Sequence, residues 1–353
     1  MQAGFAWMVT SPQAADFVVE AERSGVSSVW IPEMWGQDVF TQAAFLAGRT
    51  STIKIGTAIA QIGARTPAAL AMASMSMQAI SEERFVLGLG TSGPQVMEGW
   101  HGVRFRSPIE TTRETIEIVR MIARGDRLEH DGKVYQLPLP DGPGRPMRTM
   151  MAPVAVPIYV ASLGPRNLRL TGELADGWIG NLFMPEKAEV FLEALAAGAA
   201  TADRSLADLD LLIPVTVEFT DDVDEASKRH ARGYAFTIGA MGSKDQNFYN
   251  DVLKRLGYGD DVEAVQELWL TGRREEAAQR VPVEIGFKTN LIGTPEMVKE
   301  RLRLYRDAGI TTLQMKPTAE NRGNVDDLAL FAELVAEVSA EVPVASRQIL
   351  RER

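Results

Sequence analysis

The stretch that decides the fold is EAERSGVSSVWI, residues 20–31, read together with its counterpart LYRDAGITTLQM, residues 304–315. Each begins with a helical apolar pattern, stops at a glycine (Gly25, Gly309) and passes directly into a run rich in apolar and β-branched residues. Glycine accepts the left-handed conformation that closes a helix. The same helix–glycine–strand unit thus stands at both ends of the chain. That is the pattern of a barrel whose last strand returns to its first.

Helix starts are marked just as plainly. Ser or Thr followed by Pro occurs at Ser11-Pro12, Thr66-Pro67, Ser107-Pro108 and Thr294-Pro295. The hydroxyl caps backbone N–H groups at a helix start, and proline suits the first helical position. After Thr294, Val298, Leu302 and Tyr305 share one helical face. Strands are expected near residues 3–8, 28–31, 53–59, 84–89, 157–161, 177–180, 211–219 and 312–315. Most are short apolar runs without alternation, as parallel strands buried on both faces should be. Eight strands alternating with helices predict an α/β fold, a (β/α)₈ TIM barrel, forming a single domain over residues 1–353. A doubly wound sheet shares the alternation but not the closure. Residues 127–156, rich in Pro and Gly, are expected to form an excursion with a short hairpin. Residues 222–288, charged and helical in pattern, are read as a second insertion, either a lid or oligomer contact or simply extra packing.

The composition excludes several classes. A net charge of −10 argues against nucleic acid and anionic membrane as partners. The absence of cysteine removes thiolate nucleophiles, thiolate metal sites and disulfide frameworks. The three histidines, His101, His130 and His230, lack metal-ligand spacing, so no metal is expected. The amino-terminal stretch shows neither a signal peptide nor any long apolar run, which points to a cytoplasmic protein.

In a closed barrel the loops after the strands build the site. After the second strand, Glu33, Met34, Trp35 and Asp38 offer a carboxylate beside an indole, either a ring-binding pair or a helix-terminal acid next to a core aromatic. After the third, residues 56–67 include small side chains that let a flat group approach the backbone. After the fourth, Gly88, Gly90 and Gly93 match GxGxxG, but Pro94 follows directly and Arg113 stands 20 residues on, so a dinucleotide site is rejected. The polar cluster Thr91, Ser92, Gln95, Glu98 and His101 is the more useful reading. After the fifth, Leu163, Gly164, Pro165, Arg166 and Asn167 open a helix whose first N–H groups suit a phosphate. Lys316, at the end of the last strand, is read as a salt-bridged or solvated lysine rather than a Schiff-base former.

The segments SVWIPEMWGQDVF, IGTAIAQIGARTPAALAM, RFVLGLGTSGPQVMEGWHG and IYVASLGPRNLRLTGELADGWIG, over about residues 28–181, resemble the bacterial luciferase-like oxidoreductases, and within them the coenzyme F420-dependent subgroup. The resemblance implies a (β/α)₈ barrel, usually dimeric, with a deazaflavin across its mouth and FMN as the alternative cofactor. It implies that Leu163, Gly164, Pro165, Arg166 and Asn167 hold the cofactor phosphate, and that a non-proline cis peptide, matching Ala58–Ile59, bulges against the ring. Glu33 matches a ring contact, and Thr91, with Ser92 beside it, a further cofactor contact. Related sugar-phosphate dehydrogenases carry a catalytic histidine where Met34 stands, a glutamate near Gly93 and a lysine near Met184, so their substrate is not expected here. The expected chemistry is hydride transfer between C5 of the deazaflavin and an enone, imine or carbonyl. A proton would come from Glu98, His101 or solvent, and Trp35 would form a pocket wall. An FMN-dependent monooxygenase and a non-catalytic flavin-binding protein are the rival readings.

Overall fold

The structure is a computed structural model and describes residues 1–241, 247–318 and 324–341. Eight parallel strands close on themselves: β1 (Gln2–Ala6), β2 (Ser28–Ile31), β3 (Lys54–Thr57), β4 (Phe85–Gly90), β5 (Ile158–Ala161), β6 (Gly177–Ile179), β7 (Asp210–Phe219) and β8 (Thr312–Lys316). Each pairs with the next, and β8 pairs with β1 from Gln2↔Thr312 to Phe5↔Met315. The expected TIM barrel is present, with helices packed around it.

The glycine stops behave as read. Gly25 and Gly309 sit at φ of +84° and +85°, after helices Pro12–Arg23 and Pro295–Asp307. The hydroxyls of Ser11, Thr66 and Thr294 accept N–H groups in the first turns of their helices. Ser107 does not: it adopts a left-handed conformation (φ 47°) rather than the extended one of the other caps, and its side chain makes no cap hydrogen bond.

The lumen is filled by two aromatic rings and aliphatic side chains. Trp30 and Tyr159 lie with ring centroids 5.6 Å apart, among Val86, Ile179 and Leu212. Outside the strands, Val29, Ile31, Leu87, Leu313 and Met315 face the helices. Burying side chains of this size contributes about 1.5–3 kcal/mol each.

The third strand departs from its expected course, a single run over residues 53–59. Gly56 pairs with Val86, but Ala60 pairs with Leu89, so the register shifts by one residue and leaves a bulge in the third strand. The bulge holds the cis Ala58–Ile59 peptide. Thr57 bridges the gap, its hydroxyl donating to Gly88 O (2.7 Å) and accepting from Gly88 N (2.8 Å). Position 88 has room for glycine alone, since a Cβ there would lie 1.8 Å from the Thr57 carbonyl oxygen.

Between β4 and β5, His130–Asp131 and Gln136–Leu137 form a short antiparallel hairpin. Glu114 holds it down, accepting backbone N–H groups of Lys133, Val134 and Tyr135 at 2.8–3.1 Å. Burial alone would raise this carboxyl, but those donors and His130 outweigh it and hold it below its ordinary value. Glu114 therefore adds stability above the unfolded carboxylate pKa of about 4.3, and the contribution is lost as pH falls through the lower folded value. Glu114→Gln should cost about 1–3 kcal/mol in urea titrations at pH 7, and the deficit should shrink toward pH 3. A deficit independent of pH would assign the effect to packing.

Between β7 and β8 the chain forms helices Val223–Ala240, Phe248–Arg255, Gly259–Leu270, Arg274–Arg280 and Val283–Lys288. A short strand, Leu291–Gly293, which the sequence reading did not anticipate, then pairs with the end of β7. Among the described residues no helix is long and apolar enough to cross a membrane.

Candidate active site at the barrel mouth

The loops after β2, β3 and β4 meet in one hydrogen-bonded network. Glu33, just past β2, is nearly buried, with 7% of its side chain exposed. It receives both arms of the Arg65 guanidinium, at 2.9 and 2.6 Å. Its oxygens also accept the backbone N–H groups of Val39 (3.2 Å) and Gln61 (3.0 Å). Arg65 is shared with Asp38, which caps helix Val39–Ala47 through the Thr41 N–H. Burial opposes the charge on Arg65, but Glu33 and Asp38 outweigh it and raise its pKa. In Asp38, burial is outweighed by the Thr41 and Arg65 donors, so its carboxyl is held below its ordinary value.

Gln61 joins this network to His101. Its Nε2 donates to the carbonyls of Glu33 (3.2 Å) and Met34 (3.0 Å), which leaves Oε1 as the acceptor facing His101 Nε2 at 3.0 Å. An acceptor there requires the hydrogen on Nε2. Nδ1 of a neutral His101 is then left bare. The side chain of Gln61 thereby selects the imidazole tautomer.

The remaining residues of interest are placed as follows. Glu98, exposed on helix Pro94–Gly99, accepts the Phe105 N–H at 3.0 Å and so holds the following loop. Trp35 and Met34 are more than half exposed beside Glu33. Thr91 and Ser92 follow β4 directly, and Ser92 takes a left-handed φ of 57°. Ile59 lies against the position of Gly90, and with Ala58 it packs on the aromatic floor of the lumen. Lys316 is half-buried at the end of β8, with no ion pair among the described residues.

After β5, helix Pro165–Leu174 begins at Gly164, which has no side chain to cap it. Among the described residues, the N–H groups of Gly164, Arg166 and Asn167 meet no protein acceptor. The carbonyls ahead of them are already taken, Ser162 O by Trp178 Nε1 (2.9 Å) and Leu163 O by Arg255 Nη2 (2.6 Å). Space for a Cβ at Gly164 is open, and Arg166 is exposed, with no partner among the described residues. Uncapped N–H groups, the helix dipole and a nearby guanidinium form a donor set suited to an anion.

The profile of the luciferase-like monooxygenase family matches residues 5–312. The chain belongs to that family. A Mycobacterium tuberculosis member, provisionally named a coenzyme F420-dependent oxidoreductase, is 36% identical over 93% of this chain and 97% of its own. The 5,10-methylenetetrahydromethanopterin reductase of Archaeoglobus fulgidus is 29% identical over 84% of this chain and 86% of its own. Among solved luciferase-like folds, the coenzyme F420-dependent tetrahydromethanopterin reductase of Methanopyrus kandleri superimposes with a TM-score of 0.74, covering 96% of this chain and 99% of the other at 22% identity.

Of the residues singled out from the luciferase-like pattern, the structure brings Glu33 and His101 together through Gln61. It leaves Glu98 on the outer side of its helix, engaged with a loop. Arg65, Gln61 and Arg255 were not singled out as functional residues. The only sequence signal for Arg65 is its place directly before Thr66-Pro67.

Proposed function

We propose that this protein is a coenzyme F420-dependent oxidoreductase acting on a small organic substrate, an enone, imine or carbonyl. The observation that carries the reading is the uncapped Gly164–Asn167 turn, opening onto the same mouth as the Ala58–Ile59 bulge and the His101–Gln61 pair. The Mycobacterium tuberculosis relative and the Methanopyrus kandleri structure are coenzyme F420-dependent enzymes by name, which supports the cofactor assignment.

The N–H groups of Gly164, Arg166 and Asn167, with Arg166, would hold the phosphate. Ala58 and Ile59 would support the ring, and Thr91 and Ser92 would line the adjoining edge. When bound, the deazaflavin supplies hydride chemistry at C5. His101 holds or delivers a proton at Nδ1, because Nε2–H is committed to Gln61. Glu33 acts at one remove: with both oxygens occupied, it positions Gln61 and Arg65 rather than touching the ring. Trp35 and Met34 wall the pocket and restrict water. Glu98 positions the loop that follows its helix. The same reading places the protein in the cytoplasm as a homodimer.

The family is described as luciferase-like monooxygenases, and an FMN-dependent monooxygenase is the second reading. Titration of the purified protein with F420 and with FMN separates the two. Tighter F420 binding and reduced-cofactor turnover without oxygen consumption are expected. Preference for FMN, with oxygen consumed, would replace the proposal.

A further inference from the structure

We propose that Arg255, carried by the helical segment between β7 and β8, is a positioning residue that aims the amide nest after β5 at the cofactor phosphate. The inference rests on the cofactor assignment above and adds to it a residue from a distant part of the chain.

Arg255 ends helix Phe248–Arg255 and reaches across 92 positions of sequence to Leu163 O, at 2.6 Å from Nη2. Its Nη1 donates to Val190 O (3.2 Å), at the start of helix Glu189–Ala200, and its Nε to Asp251 O (3.3 Å). It forms no ion pair with a carboxylate among the described residues, and its hydrogen-bond acceptors are all carbonyls. A guanidinium arranged this way is committed to orienting backbone carbonyls rather than to a carboxylate hydrogen bond.

The consequence follows from peptide geometry. The Leu163–Gly164 bond is trans, so its C=O and N–H point in opposite directions. Holding Leu163 O toward Arg255 turns the Gly164 N–H the other way, where, like the Arg166 and Asn167 amides, it meets no protein acceptor among the described residues. Trp178 Nε1 does the same for Ser162 O one residue earlier. Two side-chain donors thus withdraw both carbonyls that would otherwise face an incoming anion. A freely turning Leu163–Gly164 peptide would present its carbonyl oxygen there for part of the time, repelling the phosphate. Arg255 adds long-range attraction as well, but its hydrogen bonds go to the backbone. Its role is therefore orientation first and charge second.

The test compares F420 with the same deazaflavin riboside lacking phosphate, and adds inorganic phosphate as a competitor. Binding is followed by cofactor fluorescence. In Arg255→Ala, F420 affinity should fall roughly 10- to 100-fold, the loss of one charge-assisted contact and the order it imposes. Affinity for the phosphate-free compound should change less than about threefold, and phosphate should no longer compete in the range where it does with wild type. Arg255→Lys, which keeps the charge and one donor, should recover part of the loss. Equal weakening of both ligands would mean a general folding role and overturn the inference, as would F420 binding at wild-type strength in Arg255→Ala. If the wild-type chain binds neither deazaflavin, the cofactor assignment fails and this inference with it. Wild type binding both ligands, with an indifferent Arg255→Ala variant, sinks only the inference.

Discussion

Gly164→Asp should make the protein more stable and nearly unable to bind its cofactor. The backbone at Gly164 is extended (φ −77°, ψ 147°), a conformation any residue adopts at a helix N-cap, and nothing lies within 4 Å of its Cβ position. Aspartate is among the best N-cap residues, and its carboxylate would satisfy the amides that now face outward. Replacing an uncapped glycine in this way should add a few tenths of a kcal/mol, and its charge near the helix N-terminus about 0.3–1 kcal/mol more. The same carboxylate would occupy the anion position and repel a phosphate. A loss of at least about 100-fold in cofactor affinity is expected, since both the donors and the sign of the local charge are lost. Thermal melting and cofactor titration should therefore move in opposite directions. A variant with raised melting temperature and intact cofactor binding would show that the phosphate lies elsewhere.

Replacing His101 should affect turnover rather than binding. If Nδ1 handles the proton, His101→Phe should lower kcat roughly 10²- to 10⁴-fold, the usual contribution of a placed general acid or base. Cofactor affinity should stay within about threefold, because the phosphate turn after β5 is separate from this network. Gln61→Leu removes the acceptor that fixes the tautomer while leaving the imidazole in place. It should fall between wild type and His101→Phe in kcat, and its pH–rate profile should shift. Single-turnover oxidation of reduced cofactor against a panel of enones and imines measures both. Wild-type turnover in His101→Phe would move proton delivery to solvent.

Much of the architecture was legible because the signals that carry it are local. Ser11, Thr66 and Thr294 cap their own helices, and Gly25 and Gly309 close theirs, so residues within a few positions decide each boundary. Ser107 shows the limit of such reasoning: the same Ser-Pro pair sits in a left-handed conformation, which the dipeptide itself does not report. The strand Leu291–Gly293 was missed because three residues following a helix carry no periodicity, and only the partner strand makes them a strand. The site was half legible. Glu33 and His101 stand out by type and place, but their connection runs through Gln61, 28 positions from Glu33 and 40 from His101. Glu98 and His101 could not be ranked before their hydrogen-bond partners were seen. Arg65 and Arg255 make their decisive contacts at separations of 32 and 92 residues. Nothing in local sequence reports such distances.

The one-residue surplus in the third strand has a consequence for how this site can change. Side chains of a strand alternate between its two sides, so an added residue exchanges the sides for everything that follows. Before the surplus, Gly56 lies against Trp30 in the lumen; after it, Ala60 packs outward among the helices and Gln61 reaches His101. Removing either Ala58 or Ile59 would take out the surplus and leave a regular ladder, with Ala60 still opposite Leu89 and Gln61 still opposite Gly90, so Gln61 would keep its facing while the bulge was lost. Exchanging either for another residue of similar bulk would leave that geometry in place. At this edge of the barrel the surplus is absorbed locally, and the pairing of Gln61 with Gly90 sets where the acceptor of the proton-handling group points.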